Sequence, residues 1–491
     1  MKSSPTRLTI LLAGLWIGAA QAAPECNVAT LQKLAPAGVQ VTSAQRRQNG
    51  QSPYCEVEGT MPMTGNSLRY RMGLPEAWNG KFLFEATGGG AGVLVGMGPG
   101  AQRGYAVATT DTGHEGSVGD FSFWLDRSKR AGWIHEGVHT ATVGAKAMVV
   151  AYYGRTPQQS FLRGCSNGGR AGLMEAQRYP EDYDGILSAA PAADPGAITI
   201  NWIRDAQILH RTPLDRDDWN LVGRTVRESC DARDGLHDGM IQDSRRCVLP
   251  REQLACKAGR TSGCLGDAKL AALDQLWNKP QIAGDVLLFD EGHGYEDQMP
   301  AQAFYAGASP WTLLRLLATS GGGSGNEFSM RATEPPPPLR TLLPWLVMGA
   351  PSAMDQFVES FGAGVLMPDR RIDVRQFDVA KDGPELARQI RAIISDTDRP
   401  DLAAYLKRGS KLLLWQGMDD VTLPPGGTFH YFDLAREHAL RDGISVEAFD
   451  QSVRLYTAPT IGHCAGGDGP NEGELFGALD AWVTQAKTPE A

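Results

Sequence analysis

Two cysteines stand beside two residues that chemistry would pair, and this constrains the chain more than any other feature. Cys165-Ser166 sits inside Gly164-Cys165-Ser166-Asn167-Gly168, and His463-Cys464 follows almost three hundred residues later. The pattern G-x-S-x-G makes a sharp strand-to-helix turn that lifts a serine hydroxyl clear of a sheet, with a histidine base near the C-terminus. In an oxidising compartment the flanking cysteines can bond and staple the serine's turn to the histidine's loop. Alone, the pentapeptide is a weak signal. With a cysteine beside each partner it becomes a strong one.

The N-terminus points to such a compartment. Lys2 and Arg7 form a positive start, residues 8–19 an apolar run, and Ala20-Gln21-Ala22 a small-residue cleavage site, the pattern of a secretory signal. The run is shorter than the ~20 residues a membrane anchor needs. Cleavage after Ala22 is expected, leaving a soluble secreted or periplasmic protein. Its net charge of −9 argues against nucleic-acid binding and gives no electrostatic pull toward membranes. Oligomeric state is not legible.

All eight cysteines follow the signal, an even number that suits disulfides. Cys26 and Cys55 form an N-terminal pair, Cys230 and Cys247 bracket an acidic loop, and Cys256 and Cys264 are close neighbours. Cys165 and Cys464 remain.

Strand-like runs appear at Leu68 to Met72, Lys81 to Phe84, Tyr105 to Thr109, Ser160 to Arg163 and Ile186 to Ala190. Helical spacing covers His139 to Tyr153, and Gly168 to Tyr179 reads as the helix leaving the serine turn. Strand, helix, strand at this spacing implies a parallel sheet. Texture changes after about residue 195, and sheet texture returns at Lys411 to Trp415 and Val453 to Tyr456. The expected class is α/β, an α/β-hydrolase fold carried by residues 23–195 and 405–491. Residues 196–404 are expected to form a large inserted lid domain, and residues 1–22 are set aside.

A serine hydroxyl is a poor nucleophile until a base takes its proton, and the base needs an acid partner to hold its tautomer. The chain order Ser, Asp, His is the one this fold uses. The acid belongs after the strand preceding the histidine's, where Trp415-Gln416-Gly417-Met418-Asp419-Asp420 lies. Asp420 falls in the turn and is chosen, and Asp419 is expected to be its solvated neighbour. Leu423, just beyond, is expected to face the pocket. An oxyanion needs preorganised donors, commonly the amide after the nucleophile and one from an early glycine-rich loop. Asn167 supplies the first. Gly89 within Gly88-Gly89-Gly90 is the candidate for the second, against the plainer reading of a flexible turn.

The run Cys230-Asp231-Ala232-Arg233-Asp234-Gly235-Leu236-His237-Asp238-Gly239-Met240 is a second strong signal. Three carboxylates within eight residues, with glycines at the bends, can wrap a hard cation. Side chains of Asp231, Asp234 and Asp238 with the carbonyls of Leu236 and Met240 make an oxygen-only set suited to Ca²⁺. The spacing is not that of an EF-hand, and the plainer reading is two Asp-Gly surface turns. His135-Glu136-Gly137-Val138-His139 matches H-E-x-x-H, the zinc peptidase motif. Gly137 inside it and Gly132 before it mark a helix start, and no third ligand pattern follows. Helix-entry packing beside the sheet is the expected role.

These residues together resemble the tannase and feruloyl esterase family, which also contains the MHET hydrolases. The resemblance covers most of the mature chain and rests on Gly164 to Gly169, Asp420, His463-Cys464 and the Asp231 to Met240 loop. It implies an α/β-hydrolase with a lid, a structural Ca²⁺ in that lid, and a disulfide joining the cysteines beside serine and histidine. Carried across, the triad is Ser166, Asp420 and His463, and the Ca²⁺ positions are Asp231, Asp234, Leu236, Asp238 and Met240. The pairings Cys230–Cys247 and Cys256–Cys264 also match the family's. The expected function is a secreted serine esterase cleaving small esters of aromatic acids (feruloyl, galloyl or terephthalate-type) through an acyl-enzyme. The alternatives are a general aryl or alkyl esterase and a non-catalytic binding protein dominated by its lid.

Overall fold

The computed structural model describes residues 24–277, except 50–51, 118, 243–246, 258 and 260–261, and residues 376–490, except 395–398 and 466–472. The expected signal, residues 1–22, and residues 278–375 of the expected lid lie outside the described residues.

Among the described residues nine strands form one sheet: β1 (Gln40–Asn49), β2 (Ser52–Met63), β3 (Asn66–Pro75), β4 (Lys81–Ala86), β5 (Ala106–Thr110), β6 (Gln159–Cys165), β7 (Gly185–Ala189), β8 (Lys411–Gly417) and β9 (Val453–Ala458). Their spatial order is β1-β2-β3-β5-β4-β6-β7-β8-β9. The first three pairings run antiparallel, and every pairing from β5 through β9 is parallel. The exchange of β4 and β5 around a parallel run is the α/β-hydrolase sheet, extended at one edge by β1.

Sequence dictates these positions through burial. Every residue of β5 and β7 is buried, so these strands read as unbroken runs of small and apolar residues covered on both faces. Strand β2 instead alternates buried and partly exposed positions, the pattern of an antiparallel strand with one wet face. One face of the sheet packs the helix Gly137–Tyr153 through Val138, Ala141, Ala145 and Met148 onto Phe82, Phe84 and Leu162. The other face receives the closing helix Gly473–Gln485, whose Phe476, Leu479 and Trp482 meet Phe161, Leu187 and Leu413.

Between β7 and β8 the chain leaves the sheet. The described part of this insertion includes the helices Pro195–Arg211, Arg216–Cys230, Asp267–Trp277 and Val379–Ile394. They enclose a core of their own, with Ile200, Ile203, Val222, Leu273 and Ile390 fully buried. That core continues into Phe121, Trp124 and Trp133 from the segment between β5 and β6 and into Val421 and Leu423 after β8. Trp202 Nε1 donates to the Thr422 carbonyl at 2.8 Å, so an insertion helix rests on the turn that carries Asp420.

Candidate active site

The serine turn is shaped by glycines that leave no room for side chains. A Cβ on Gly164 would stand 2.5 Å from the Gly168 backbone, and one on Gly168 would stand 2.3 Å from the Ala86 carbonyl. Strand β6 and the helix Asn167–Arg178 can therefore meet at so sharp an elbow only with glycine at both places. Ser166 itself has φ 62° and ψ −123°, a strained conformation that persists only where surroundings impose it. Its N–H donates to the Ala189 carbonyl at 3.0 Å, while its carbonyl accepts from Arg170 and Ala192.

The loop after β9 brings His463 to the same end of the sheet. Cys165 and Cys464 are bonded, with Cα atoms 5.9 Å apart, across a sequence separation of 299. Cys464 also has positive φ, 63°, so strained backbone lies at both ends of the staple. Asp420 is wholly buried and accepts from His463 Nδ1 at 2.8 Å through Oδ2. Its Oδ1 accepts from the Thr422 and Leu423 amides at 3.0 and 2.8 Å. Gln416 Nε2 donates to Oδ2 at 3.2 Å, and Thr428 Oγ1 holds Gln416 in turn at 2.6 Å. Four donors thus fix this carboxylate, and its bond to Nδ1 leaves the opposite ring nitrogen of His463, Nε2, free of the acid.

One expectation around this turn fails. Asp419 is not solvated: it is completely buried, because its N–H joins the Ile461 carbonyl and seats it between the two loops. Leu423 packs, 4 % exposed, in the core shared with the insertion helices.

The glycine-rich turn lies against the elbow. A side chain at Gly88 would come within 3.6 Å of Ser166 Cβ. The Gly88 carbonyl accepts from Ala91 N at 3.1 Å, and in a planar trans peptide this aims the Gly89 N–H the opposite way. Gly89 takes φ 57°, and its own carbonyl accepts from Trp133 Nε1 at 3.0 Å. Asn167 is the first residue of its helix, where an amide has no intrahelical acceptor. Its side chain spans the gap, donating to the Thr87 carbonyl at 3.4 Å and accepting from Arg170 Nε at 2.8 Å.

The acidic loop follows the helix Arg216–Cys230. Asp231 is 5 % exposed; its Oδ1 accepts from the Asp238 and Gly239 amides at 3.2 and 3.0 Å. Its Oδ2 meets the exposed His237 Nδ1 at 2.7 Å. Asp238 Oδ1 accepts from the Met240 amide at 3.0 Å. Gly235 and Gly239 take φ 101° and 81°, and Cys230–Cys247 closes the loop. The other bridges are Cys26–Cys55 and Cys256–Cys264. The Asp234 side chain lies outside the described residues. The donor set has the chemistry a hard cation takes: all oxygen, with a buried carboxylate that, among the described residues, meets two backbone amides and an exposed imidazole.

The H-E-x-x-H residues do not stand at a helix start, as expected: the turn Gly132–Glu136 continues the helix Arg127–Ala131 into Gly137–Tyr153, with five-residue hydrogen-bond spacing. Their side chains still disperse. His135 Nδ1 pairs with the Tyr179 hydroxyl at 2.8 Å, while His139 stacks on the Tyr179 ring and bonds Asp182 Oδ2 at 2.7 Å. His139, Asp182 and Glu175 converge within 4.8 Å, but that cluster takes neither His135 nor Glu136. Burial, then Asp182, pushes the Glu175 carboxyl well above the ordinary range. The Lys146 ammonium, bonded to the Asp182 carbonyl, pulls it the other way.

Sequence reasoning passed over Gln416, Arg170 and Trp133. An arginine just past a glycine-rich elbow, at a position its helix buries completely, was the available signal for Arg170.

Similarity to known proteins agrees with this architecture. Residues 55–491 match the family model described as tannase and feruloyl esterase. Mono(2-hydroxyethyl) terephthalate hydrolase of Piscinibacter sakaiensis is 26 % identical over 487 residues, covering 89 % of this chain and 77 % of that one. A probable feruloyl esterase of Arthroderma benhamiae is 29 % identical over 440 residues, covering 85 % and 73 %. Among solved structures, feruloyl esterase B of Aspergillus oryzae superposes with TM-score 0.75 at 20 % identity over 94 % of this chain and 91 % of that one. The tannin acyl hydrolase of Aspergillus niger gives 0.66 at 18 % identity over 95 % and 89 %. The chain belongs to the tannase and feruloyl esterase family.

Proposed function

We propose that this protein is an exported serine carboxylic ester hydrolase acting on esters of aromatic acids. The observation that carries the reading is the Asp420–His463 hydrogen bond, stapled through Cys464–Cys165 to the strained turn of Ser166. Ser166 Oγ attacks the ester carbonyl while His463 Nε2 takes its proton. Asp420 keeps the Nδ1–H tautomer and steadies the imidazolium. The Asn167 and Gly89 amides receive the oxyanion. Collapse expels the alcohol, which leaves with the proton from His463. Water then attacks the acyl-enzyme, gives its proton to His463, and releases the aromatic acid and the free serine.

The aromatic-acid preference is supported by family membership and by the relatives named for feruloyl and terephthalate esters. The insertion, residues 196–404, serves as a lid over the Asp420 turn, a reading supported by the Trp202 to Thr422 contact. Within it Asp231, Asp234 and Asp238, with the Leu236 and Met240 carbonyls, would hold Ca²⁺. The ion would neutralise the buried Asp231 carboxylate and rigidify the lid, with no part in bond making.

Initial rates on methyl ferulate, methyl gallate, chlorogenate, mono(2-hydroxyethyl) terephthalate and methyl acetate, for the parent and Ser166→Ala, test the reading. Preference for one of the aromatic acids, abolished in Ser166→Ala, is expected. Equal or faster turnover of the acetate would replace it with a general esterase, and an active Ser166→Ala would end the serine mechanism.

A further inference from the structure

Two buried side chains that take no part in proton transfer join the two candidate oxyanion donors into one closed network. Arg170 is fully buried in the first turn of the helix after Ser166. Its Nε donates to Asn167 Oδ1 at 2.8 Å, its Nη2 to the Trp133 carbonyl at 2.8 Å and its Nη1 to the Ile134 carbonyl at 3.0 Å. The guanidinium also stacks over the Trp133 ring, 4.2 Å from its centroid. That indole, itself 4 % exposed, donates from Nε1 to the Gly89 carbonyl. The circuit closes where Asn167 Nδ2 reaches the Thr87 carbonyl, two residues before Gly89.

Burying a guanidinium is costly unless its donors are met, and among the described residues no carboxylate pairs with Arg170. Burial alone lowers its pKa to about 9. An apolar residue would fill this helix face at lower cost. What the arginine provides is a rigid fork whose spread donors reach the elbow and the Trp133 segment at once. The peptides it ties down need holding. Glycine backbone reorients cheaply, and oxyanion donors lower a barrier only when aimed before charge develops.

We infer that Arg170 and Trp133 are positioning residues that preorganise the Asn167 and Gly89 amides as an oxyanion hole. The inference rests on the acyl-enzyme reading above. Trp133→Phe keeps a ring beneath the guanidinium but removes the donor on Gly89, and Arg170→Lys keeps charge but not the fork. Turnover is measured per active serine, counted by a fluorophosphonate probe, together with KM and inhibition by an aryl trifluoromethyl ketone whose hemiketal carries the oxyanion.

Expected is a fall in kcat of about 10–100-fold, short of or reaching the loss of a whole oxyanion donor. KM should stay within about twofold, and ketone affinity should fall in step with kcat, since the lost interaction belongs to the transition state. Because both variants open one circuit, the double variant should lose little beyond the worse single one. Wild-type kcat per titrated serine in both single variants would overturn the inference. So would a rise in KM with ketone affinity intact, or a Trp133→Phe protein that does not fold, which would make the indole a packing residue. Failure of the underlying reading is separable: it would appear as activity in Ser166→Ala.

Discussion

Replacing Cys165 and Cys464 together by alanine should both loosen the fold and slow the chemistry. The bridge closes a loop of 299 residues, and the two shorter bridges inside it, of 17 and 8, hardly shorten it. A loop that long contributes about 5–6 kcal/mol in the chain-entropy account. Unfolding entropy near 2.1 cal/mol/K per residue gives about 1 kcal/mol/K for a chain of this size, so Tm should fall by about 5 °C. The chemical effect has a different origin. Asp420 holds one edge of the imidazole from the turn after β8, but the loop bearing His463 is tied to the serine turn through the next residue's sulfur. Freed, that loop samples positions off the serine, and a misplacement of about 1 Å costs on the order of 100-fold in rate. Differential scanning fluorimetry and steady-state hydrolysis of a 4-nitrophenyl ester, on the variant and on parent protein with the bridge reduced, read both quantities. A variant that melts within about 1 °C of the parent and turns over at the parental rate would refute the reasoning.

Asp420→Asn should leave Tm nearly unchanged and lower kcat by about 10⁴-fold, because an amide favours the wrong imidazole tautomer; parental kcat in this variant would remove Asp420 from its role. His114 is buried on the Phe123 ring, and burial lowers its pKa from 6.5 to about 4. With the folded pKa depressed, the unfolded chain binds the proton first, so stability is intact above pH 6.5 and falls as pH drops toward 4. About 3 kcal/mol should be lost across that window; urea unfolding of parent and His114→Gln checks this, and equal acid slopes contradict it. Chelation by EGTA should lower Tm by about 3 °C relative to calcium at a hundred times its Kd, a stabilisation of about 2.7 kcal/mol. Asp231→Ala should abolish that shift while keeping kcat at 25 °C, and a parental calcium response in Asp231→Ala would dismiss the site.

The sequence carries the fold best where local chemistry is unambiguous. Strands β3 to β9 coincide with apolar or alternating runs, and the elbow is spelled by glycines whose Cβ atoms have no space. Strand β1, with Gln-Arg-Arg-Gln inside it, carries no apolar pattern because it is an edge strand with few buried positions. Asp419 reads as a surface residue from its polarity alone; only the approach of the Ile461 loop buries it. Trp133 and Arg170 likewise lie 37 positions apart, and no period or motif announces that one stacks on the other. His135 and His139 show the reverse limit: their glycines read as a helix start, yet Gly132 and Gly137 lie inside unbroken helical backbone, and only tertiary contacts turn the two imidazoles to Tyr179 and Asp182.

The central claim is that one hydroxyl, Ser166, forms the covalent intermediate. Protein reacted with a fluorophosphonate until activity is lost, then digested and mapped by mass spectrometry, tests it directly. A single adduct on Ser166, stoichiometric with lost activity and absent after prior trapping of the acyl-enzyme, is the predicted result. Full activity loss with the adduct on another residue, or hydrolysis that continues with Ser166 fully modified, would contradict it.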